Sequence, residues 1–413
     1  MSIAAFRVRS FRFQWSADLL ASWASEMETV ILGWYVITQT GSVVLLTVFG
    51  SLQFFGTLAA PIFGVLSDRV GARAMLCVMR SLYVALAALL LVLAAAGWLT
   101  PVLVLVVAAG TGFVRPNDLV MRNSLIGETI APPHLVGALG LSRATMDSAR
   151  VGGALAGAGL STVLGLGLTY VVVTTLYVAS LALTFGVPRR RPVPDPAAAP
   201  RAASPGRDLK AGLARVLGTP RLLALMWLAF LINLTAYPTS GGLLPYVARR
   251  VYHVDATGLG WLAASFAFGG LLASMTMVLS GGSRHPERFT FVFTAIWYAL
   301  LLGFGHLETL GAGLLALLAA GFAQNVAMIS MAGSLLTAAG DEFRGRVMGV
   351  RQLAVYGLPL GLMAAGVLIE RIGYPLTITG LAAAGLLGTV LIAVRWRASV
   401  WRRGAYSLSC MSS

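Results

Sequence analysis

The chain carries little charge. Of its 413 residues, 11% are Asp, Glu, Lys or Arg, while 58% are hydrophobic. A soluble globular domain carries about 25% charged residues, so this composition cannot cover a surface that faces water. It excludes an ordinary soluble domain and predicts that most of the surface faces lipid. The high apolar content also excludes a disordered chain, despite the 47 glycines.

Cysteine, histidine and catalytic motifs are scarce as well. Cys77 and Cys410 are too few and too far apart for a disulfide scaffold, and no CxxC or His/Cys cluster occurs. We therefore expect no metal site and no cofactor. There is no Walker A, HExxH or GxSxG pattern, which argues against an ATP-driven pump and against an intramembrane enzyme.

Long apolar runs dominate what remains. Crossing a bilayer takes roughly 20 apolar residues, and twelve runs approach that length. We place them approximately at 14–38, 43–66, 75–97, 101–121, 138–164, 167–187, 222–247, 258–280, 289–306, 310–338, 347–369 and 374–395. The spacing of the polar loops after the second and fourth runs repeats weakly between the two halves of the chain, as in secondary-transporter folds.

These runs predict an all-α membrane protein with twelve transmembrane helices in two pseudo-symmetric six-helix bundles. The first bundle takes residues 1–187 and the second takes residues 221–395. The proline-rich stretch 188–220 between them is typical of a linker, and residues 396–413 form a tail.

Basic residues outnumber acidic residues by 30 to 15. On a soluble protein this surplus would suggest nucleic acid, but here most of the basic residues fall on one side of the predicted spans, as the positive-inside rule requires. Only Arg249, Arg250 and Arg371 fall on the other side. We therefore expect a multi-pass protein of a bacterial inner membrane with both termini cytoplasmic, bound to lipid and not to nucleic acid, and a monomer.

A ten-residue motif lies between the second and third runs. Its sequence, GVLSDRVGAR from Gly64 to Arg73, resembles the loop signature of the major facilitator superfamily, Gly-x-Leu-x-Asp-Arg-x-Gly-x-Arg. In that family the loop latches the two halves on the cytoplasmic side. The resemblance implies a gating role for Gly64, Asp68, Arg69, Gly71 and Arg73. The alternative is a basic loop that only sets topology.

Further stretches resemble one exporter branch of that superfamily, which includes enterobactin exporters and macrolide-efflux proteins. They are residues 122–128, 138–142, 149–157 and 343–349, together with Gly41-Ser42. The resemblance implies export of a small organic molecule of the drug or siderophore type by proton antiport and alternating access. Relatives usually have Gly-Pro where this chain has Gly153-Ala154.

Two alternatives stay open at this point. One is an importer or proton symporter on the same fold. The other is a non-transporting membrane receptor or a lipid-handling protein, against which the acidic residues of the first span argue.

Charged residues inside the spans are candidate functional residues, because charge within a bilayer is costly. The proton-coupling candidates are Glu26, Glu28, Asp118 and Asp147, with Arg115 and Arg150 as buried partners. At 1.5 Å per residue, Glu26 and Arg150 lie at similar depth, so a pair between them is allowed. Arg143, Asp147 and Arg150 share one helix face and can neutralise one another.

Other polar and aromatic side chains are candidates for lining a substrate cavity. Helix packing is the alternative explanation for each one alone. These candidates are Trp23, Gln53, Asn233, Tyr237, Gln324, Asn325 and Tyr356.

Overall fold

A computed structural model describes residues 6–59, 63, 66–67, 70–130, 132–188, 205–280, 285–340 and 343–397. Within these residues the chain is helical and contains no β-strand. The predicted all-α class is confirmed.

The first half contains six helices. They are α1 (Arg9–Thr40), α2 (Val43–Leu52), α3 (Ala72–Ala95), α4 (Pro101–Thr129), and then one run, Pro132–Phe185, that breaks at Gly165 into α5 (132–164) and α6 (166–185). A 3-10 turn at Phe55–Ala59 follows α2. Gly165 has φ 74°, a left-handed conformation that glycine adopts at little cost, and this lets the chain reverse between two spans.

The second half repeats this arrangement. Its helices are α8 (Pro220–Val251), α9 (Ala256–Leu279), α10 (Pro286–Phe304), α11 (Leu310–Ala339), α12 (Arg344–Ala354), α13 (Gly357–Ile372) and α14 (Tyr374–Arg395). The regular part of α8 ends at Thr235 and is followed by π-helical turns at Pro238–Gly242 and Val247–Val251. Helices α12 and α13 form one span.

Twelve membrane crossings follow from these helices. Nine helices within the described residues are long and apolar enough to span a bilayer. One of them, Gly137–Phe185, has 49 residues, about 74 Å at 1.5 Å per residue, and its break at Gly165 makes two crossings. The charged helix α1 and the shorter apolar segment Val43–Thr57 complete the set.

Glycines of α5 bring that helix into direct contact with α1. A β-carbon at Gly153 would lie 2.8 Å from the Glu26 β-carbon, and one at Gly157 would lie 2.8 Å from the Met27 α-carbon. Any side chain there would push the two helices apart. The small residues of the fifth span therefore set the position of α1, and they do so beside Glu26.

The two halves contact each other on the side of the membrane opposite the termini and as far as the middle of the spans. Helix α2 packs on α13, and α5 packs on α9. Within the described residues, three side-chain hydrogen bonds join the halves: Ser42 to Glu370 (3.4 Å), Ser51 to the Pro359 carbonyl (3.1 Å) and Thr162 to Thr257 (3.1 Å). The halves therefore meet from that side to the middle of the spans.

The linker predicted at 188–220 contains an additional helix, α7 (Pro205–Gly218). Its Val216 is buried in the core of the second half, and Gly212 lies against the Arg346 carbonyl. The Arg215 guanidinium lies over the ring of Phe343 at 5.5 Å. The end of the linker is therefore docked on the second half.

Substitution of Gly157 by Ala is expected to destabilise the protein by about 1–3 kcal/mol, because the added methyl overlaps the α1 backbone. The measurement is the midpoint of thermal unfolding in detergent. Gly159→Ala is the matched control, since a β-carbon at Gly159 meets nothing within 4 Å. An equal effect of both substitutions would contradict this account of the contact between α1 and α5.

Candidate functional site

The first half holds an ion pair near the middle of its helices, between Glu26 of α1 and Arg115 of α4. The Glu26 carboxylate lies 3.5 Å from the Arg115 guanidinium. Arg115 also donates to Thr29 Oγ1 at 2.7 Å and to Gln53 Oε1 at 2.6 Å. These contacts connect α1, α2 and α4 through one cation. The side chains of Glu26 and Arg115 are 27% and 29% exposed, so the pair is within reach of a small molecule or water.

Glu28 occupies a different environment only two residues away. It is buried, and the Tyr177 hydroxyl of α6 donates to its Oε2 at 2.9 Å. Its Oε1 is buried and has no hydrogen-bond partner. An ionised carboxylate in this position pays a desolvation cost that the neutral acid avoids. The two glutamates of α1 are therefore physically distinct.

A small cavity lies between Glu28 and Arg115. Its wall includes Glu28, Thr29, Gln53, Arg115 and Tyr177, and its free volume of about 10 Å³ leaves room for about one water molecule. Arg115 and Glu28 therefore border the same space.

A second cluster of charges lies nearer the terminal side of the same half. Asp18 forms ion pairs with Arg80 of α3 and, at 3.6 Å, with Arg122 of α4, and Arg122 also pairs with Asp118. All four side chains are buried. Two carboxylates facing two guanidinium groups make the cluster electrically neutral, which suits a protein interior.

Arg80 and Arg122 are among the basic residues on the terminal side of the spans, and the structure buries both side chains in the bundle. Asp118, a proton-coupling candidate, is held by Arg122, although its Oδ1 has no hydrogen-bond partner.

Asp147 of α5 lies between two arginines of its own helix. Its carboxylate is 3.4 Å from Arg143 and 3.7 Å from Arg150. The local neutralisation allowed by the spacing is therefore present. The pair between Glu26 and Arg150 that their depths allow does not form, because Glu26 turns to Arg115 and Arg150 turns to Asp147.

The cavity candidates divide between the halves. Gln53 belongs to the Arg115 site, and the Trp23 ring packs against Gly152. In the second half, Gln324 donates to the Tyr237 hydroxyl at 2.7 Å.

The other candidates of the second half show no common site. Asn233 donates to the Ala229 carbonyl of its own helix, while Asn325 donates to Ser274 of α9 at 2.8 Å. The Tyr356 hydroxyl is buried without a partner.

The motif between α2 and α3 is only partly described. Gly64, Asp68 and Arg69 lie outside the described residues. Gly71 has φ 86°, which explains a glycine before α3. Arg73 donates to the Phe185 carbonyl at the end of α6 at 2.9 Å, where the negative end of the helix dipole favours a cation.

The uncharged residues that contact Glu28 and Arg115 were not predicted from the sequence. Tyr177 donates a hydrogen bond to Glu28 Oε2, and the Tyr83 ring stacks on Tyr177 with centroids 5.4 Å apart. The Thr29 hydroxyl accepts a hydrogen bond from Arg115. Only a hydroxyl-bearing residue in the middle of an apolar run could have suggested them, and such residues are too common to stand out.

The spans in two halves, with ionisable groups at membrane depth, make this a polytopic membrane protein. The model of the Major Facilitator Superfamily matches residues 15–359, and the chain belongs to that superfamily. No curated protein matches the chain.

Solved structures share the fold at low sequence identity. The human organic anion transporter MFSD10 (TETRAN) is 16% identical, with a TM-score of 0.64 over 93% of this chain and 99% of its own. A bacterial homolog of the human lysosomal transporter Spinster, in an inward-facing and unoccupied conformation, is 15% identical, with a TM-score of 0.67 over 95% of each chain. The nucleoside transporter NupG is 14% identical, with a TM-score of 0.69 over 95% of this chain and 100% of its own.

Substitution of Asp18 by Asn is expected to destabilise the protein by about 3–5 kcal/mol, because it leaves buried arginine charge without compensation. Asp147→Asn is the matched control. Its arginine partners are about half exposed, so we expect a loss of about 1 kcal/mol or less. Thermal unfolding in detergent measures both. Equal losses would show that the Asp18 cluster is not a special stabilising element.

Proposed function

We propose that the protein exports a small organic molecule in exchange for protons, by alternating access, with Glu28 as the proton-carrying residue. The proposed location is the inner membrane of a bacterium, with both termini cytoplasmic. The observation that supports proton coupling is the pair of unlike glutamates on α1, one ion-paired and accessible, the other buried with a single hydroxyl donor.

Arg115 couples the two glutamates in this mechanism. While it pairs with Glu26, Glu28 keeps its proton, because the buried anion would lack a partner for Oε1. A substrate that hydrogen-bonds Glu26 frees the guanidinium, which then moves across the small cavity toward Glu28. The cation stabilises the Glu28 anion, and the proton leaves through the cavity. Loss of substrate returns Arg115 to Glu26, and Glu28 binds a new proton.

Alternating access requires the two halves to separate on one side while they close on the other. Two of the described hydrogen bonds between the halves, Ser42 to Glu370 and Thr162 to Thr257, lie opposite the termini, which is consistent with a state closed on the outer side. The gating role proposed for Gly71 and Arg73, with Gly64, Asp68 and Arg69 of the same motif, concerns the other side. Asp118 and Asp147 are the remaining proton-coupling candidates. Their arginine partners make them secondary to Glu28.

The substitution Glu28→Gln is expected to abolish substrate-induced proton release while substrate binding persists, because the amide is isosteric and cannot titrate. The measurement is the external pH change when a macrolide, a catecholate siderophore or a hydrophobic dye is added to proteoliposomes. Exposed Glu308 supplies the matched control, and Glu308→Gln should respond as the wild type does. A wild-type proton response in Glu28→Gln would overturn the assignment.

The substitution Glu26→Gln is expected to free Arg115 permanently and to keep Glu28 ionised. Infrared difference spectra should then lack the carboxylic C=O band that the wild type shows and that Glu28→Gln loses. A wild-type band in Glu26→Gln would show that Arg115 does not couple the two residues.

Transport direction needs its own experiment. Inside-out membrane vesicles with an acidic lumen should accumulate substrate if the protein is a proton-driven exporter. Proton-driven uptake only by right-side-out vesicles would favour an importer or symporter. Binding without flux in either orientation would favour a non-transporting receptor.

A further inference from the structure

Two adjacent arginines at the end of α8 depart from the charge distribution of the rest of the chain. Arg249 and Arg250 belong to the π-helical turn Val247–Val251, on the membrane side opposite the termini. Both side chains are exposed. The other basic residues concentrate on the terminal side, where they set topology. A pair of arginines on the far side works against that pattern and calls for another explanation.

These arginines border an open cleft with one further nitrogen-bearing side chain. The cleft has a volume of about 310 Å³ and is lined by Arg249, Arg250, His253 and Val254. This volume is at the lower end of the range for small-ligand sites. It has room for a phosphate, a sulfate or a small carboxylate.

Acidic side chains near the cleft are engaged elsewhere. Asp255 accepts the Gly258 amide at 3.0 Å and caps α9, and Glu370 accepts from Ser42. Among the ion pairs of the described residues, none includes Arg249 or Arg250. The two guanidinium groups therefore have no carboxylate at ion-pair distance among the described residues and are available to an added anion.

His253, which lines the cleft, has an unfavourable backbone conformation. Its φ of 52° is the one positive value among the described non-glycine residues. The Val254 amide donates to the Ala248 carbonyl at 2.9 Å, which makes His253 the left-handed residue of a helix-ending motif where glycine is usual. An unfavourable backbone conformation that keeps a polar side chain in a cleft is typical of functional sites.

We propose that Arg249, Arg250 and His253 form a binding site for a small anion carrying phosphate, sulfate or carboxylate groups. Arginine suits this chemistry because its planar guanidinium binds two oxygens of such a group at once. The site lies apart from the glutamates of α1, and it does not depend on proton antiport or on the direction of transport.

The same arginines also contact the first half. The Arg249 guanidinium lies over the Trp34 ring of α1 at 6.0 Å. Arg250 lies across the end of α1, with Nη2 3.3 Å from where a β-carbon of Gly41 would lie. An anion in the cleft competes with α1 for these groups. Its binding therefore weakens the contact between the halves on this side.

The test uses the full-length protein purified in detergent, titrated with sodium phosphate and with citrate at constant ionic strength. Isothermal titration calorimetry should detect saturable binding to the wild type. Arg249→Gln and Arg250→Gln should each weaken binding about tenfold or more, as expected for the loss of one charged hydrogen-bonding partner. The double variant should not bind. Arg371→Gln, at another exposed arginine on the same side, is the matched control and should bind as the wild type does.

His253→Gly distinguishes an effect on anion binding from an effect on the stability of the protein. Glycine accepts the left-handed conformation, so the unfolding midpoint should rise while anion affinity falls. Unchanged affinity in His253→Gly and in the arginine double variant would overturn the proposal, as would an equal loss in Arg371→Gln.

Nanodiscs distinguish a free anion from a lipid headgroup. If soluble phosphate binds equally in phosphatidylcholine and phosphatidylglycerol nanodiscs, the site takes a free anion. If phosphatidylglycerol suppresses phosphate binding to the wild type relative to phosphatidylcholine, whose headgroup phosphate is balanced by choline, the anionic headgroup occupies the site.

Discussion

The cost of placing carboxylates inside a membrane protein governs how the first half is assembled. Helix α1 carries three of them, and each has a polar partner on a neighbouring helix. Asp18 meets arginines of α3 and α4, Glu26 meets Arg115 of α4, and Glu28 meets Tyr177 of α6. Because an unpaired charge in the interior is expensive, these partners fix the rotation and depth of α1. The helix that carries the candidate coupling residues is thus also held by polar contacts to α3, α4 and α6.

The glycines of α5 complete this arrangement from the other side. Gly153 and Gly157 let α5 approach the α1 backbone beside Glu26, so α1 is held by charge on one face and by close packing on another. Arg115 is the group that the proposed mechanism requires to move. It lies on α4 with partly exposed surroundings and has acceptors on α1 and α2. A local rearrangement of this one side chain would change the charge balance without moving the helices.

The second half is built differently. By sequence, the acidic residues from 221 to 395 lie at the ends of the spans. Many of its described interior contacts are apolar or are neutral hydrogen bonds, such as those of Gln324 and Asn325, and its described ion pair, Arg221–Glu287, lies at the span ends. Close approaches of backbone at Gly269, Gly321 and Gly361 hold its helices together. The buried ion pairs within the described spans therefore lie in the first half. The second half provides the surface that packs against the first half and the two arginines at the end of α8.

The sequence alone determined the class of fold. Apolar runs of membrane length, the proline-rich interruption and the motif ending at Arg73 were sufficient for twelve spans in two halves. The reason is that a bilayer requires each crossing to be a helix of fixed length. It also identified Glu26, Glu28, Asp118, Asp147 and Arg115 as ionisable groups within spans, because hydropathy makes such residues conspicuous.

Only the tertiary structure decided which groups meet. Depth along a helix gives one coordinate of a side chain, and rotation about the axis and the choice of neighbouring helix give the others. For this reason the sequence allowed a pair between Glu26 and Arg150, whereas the structure pairs Glu26 with Arg115. For the same reason, the sequence explains Arg80 and Arg122 as charges that set membrane topology. In the structure, ion pairs with Asp18 of α1 hold both side chains inside the bundle.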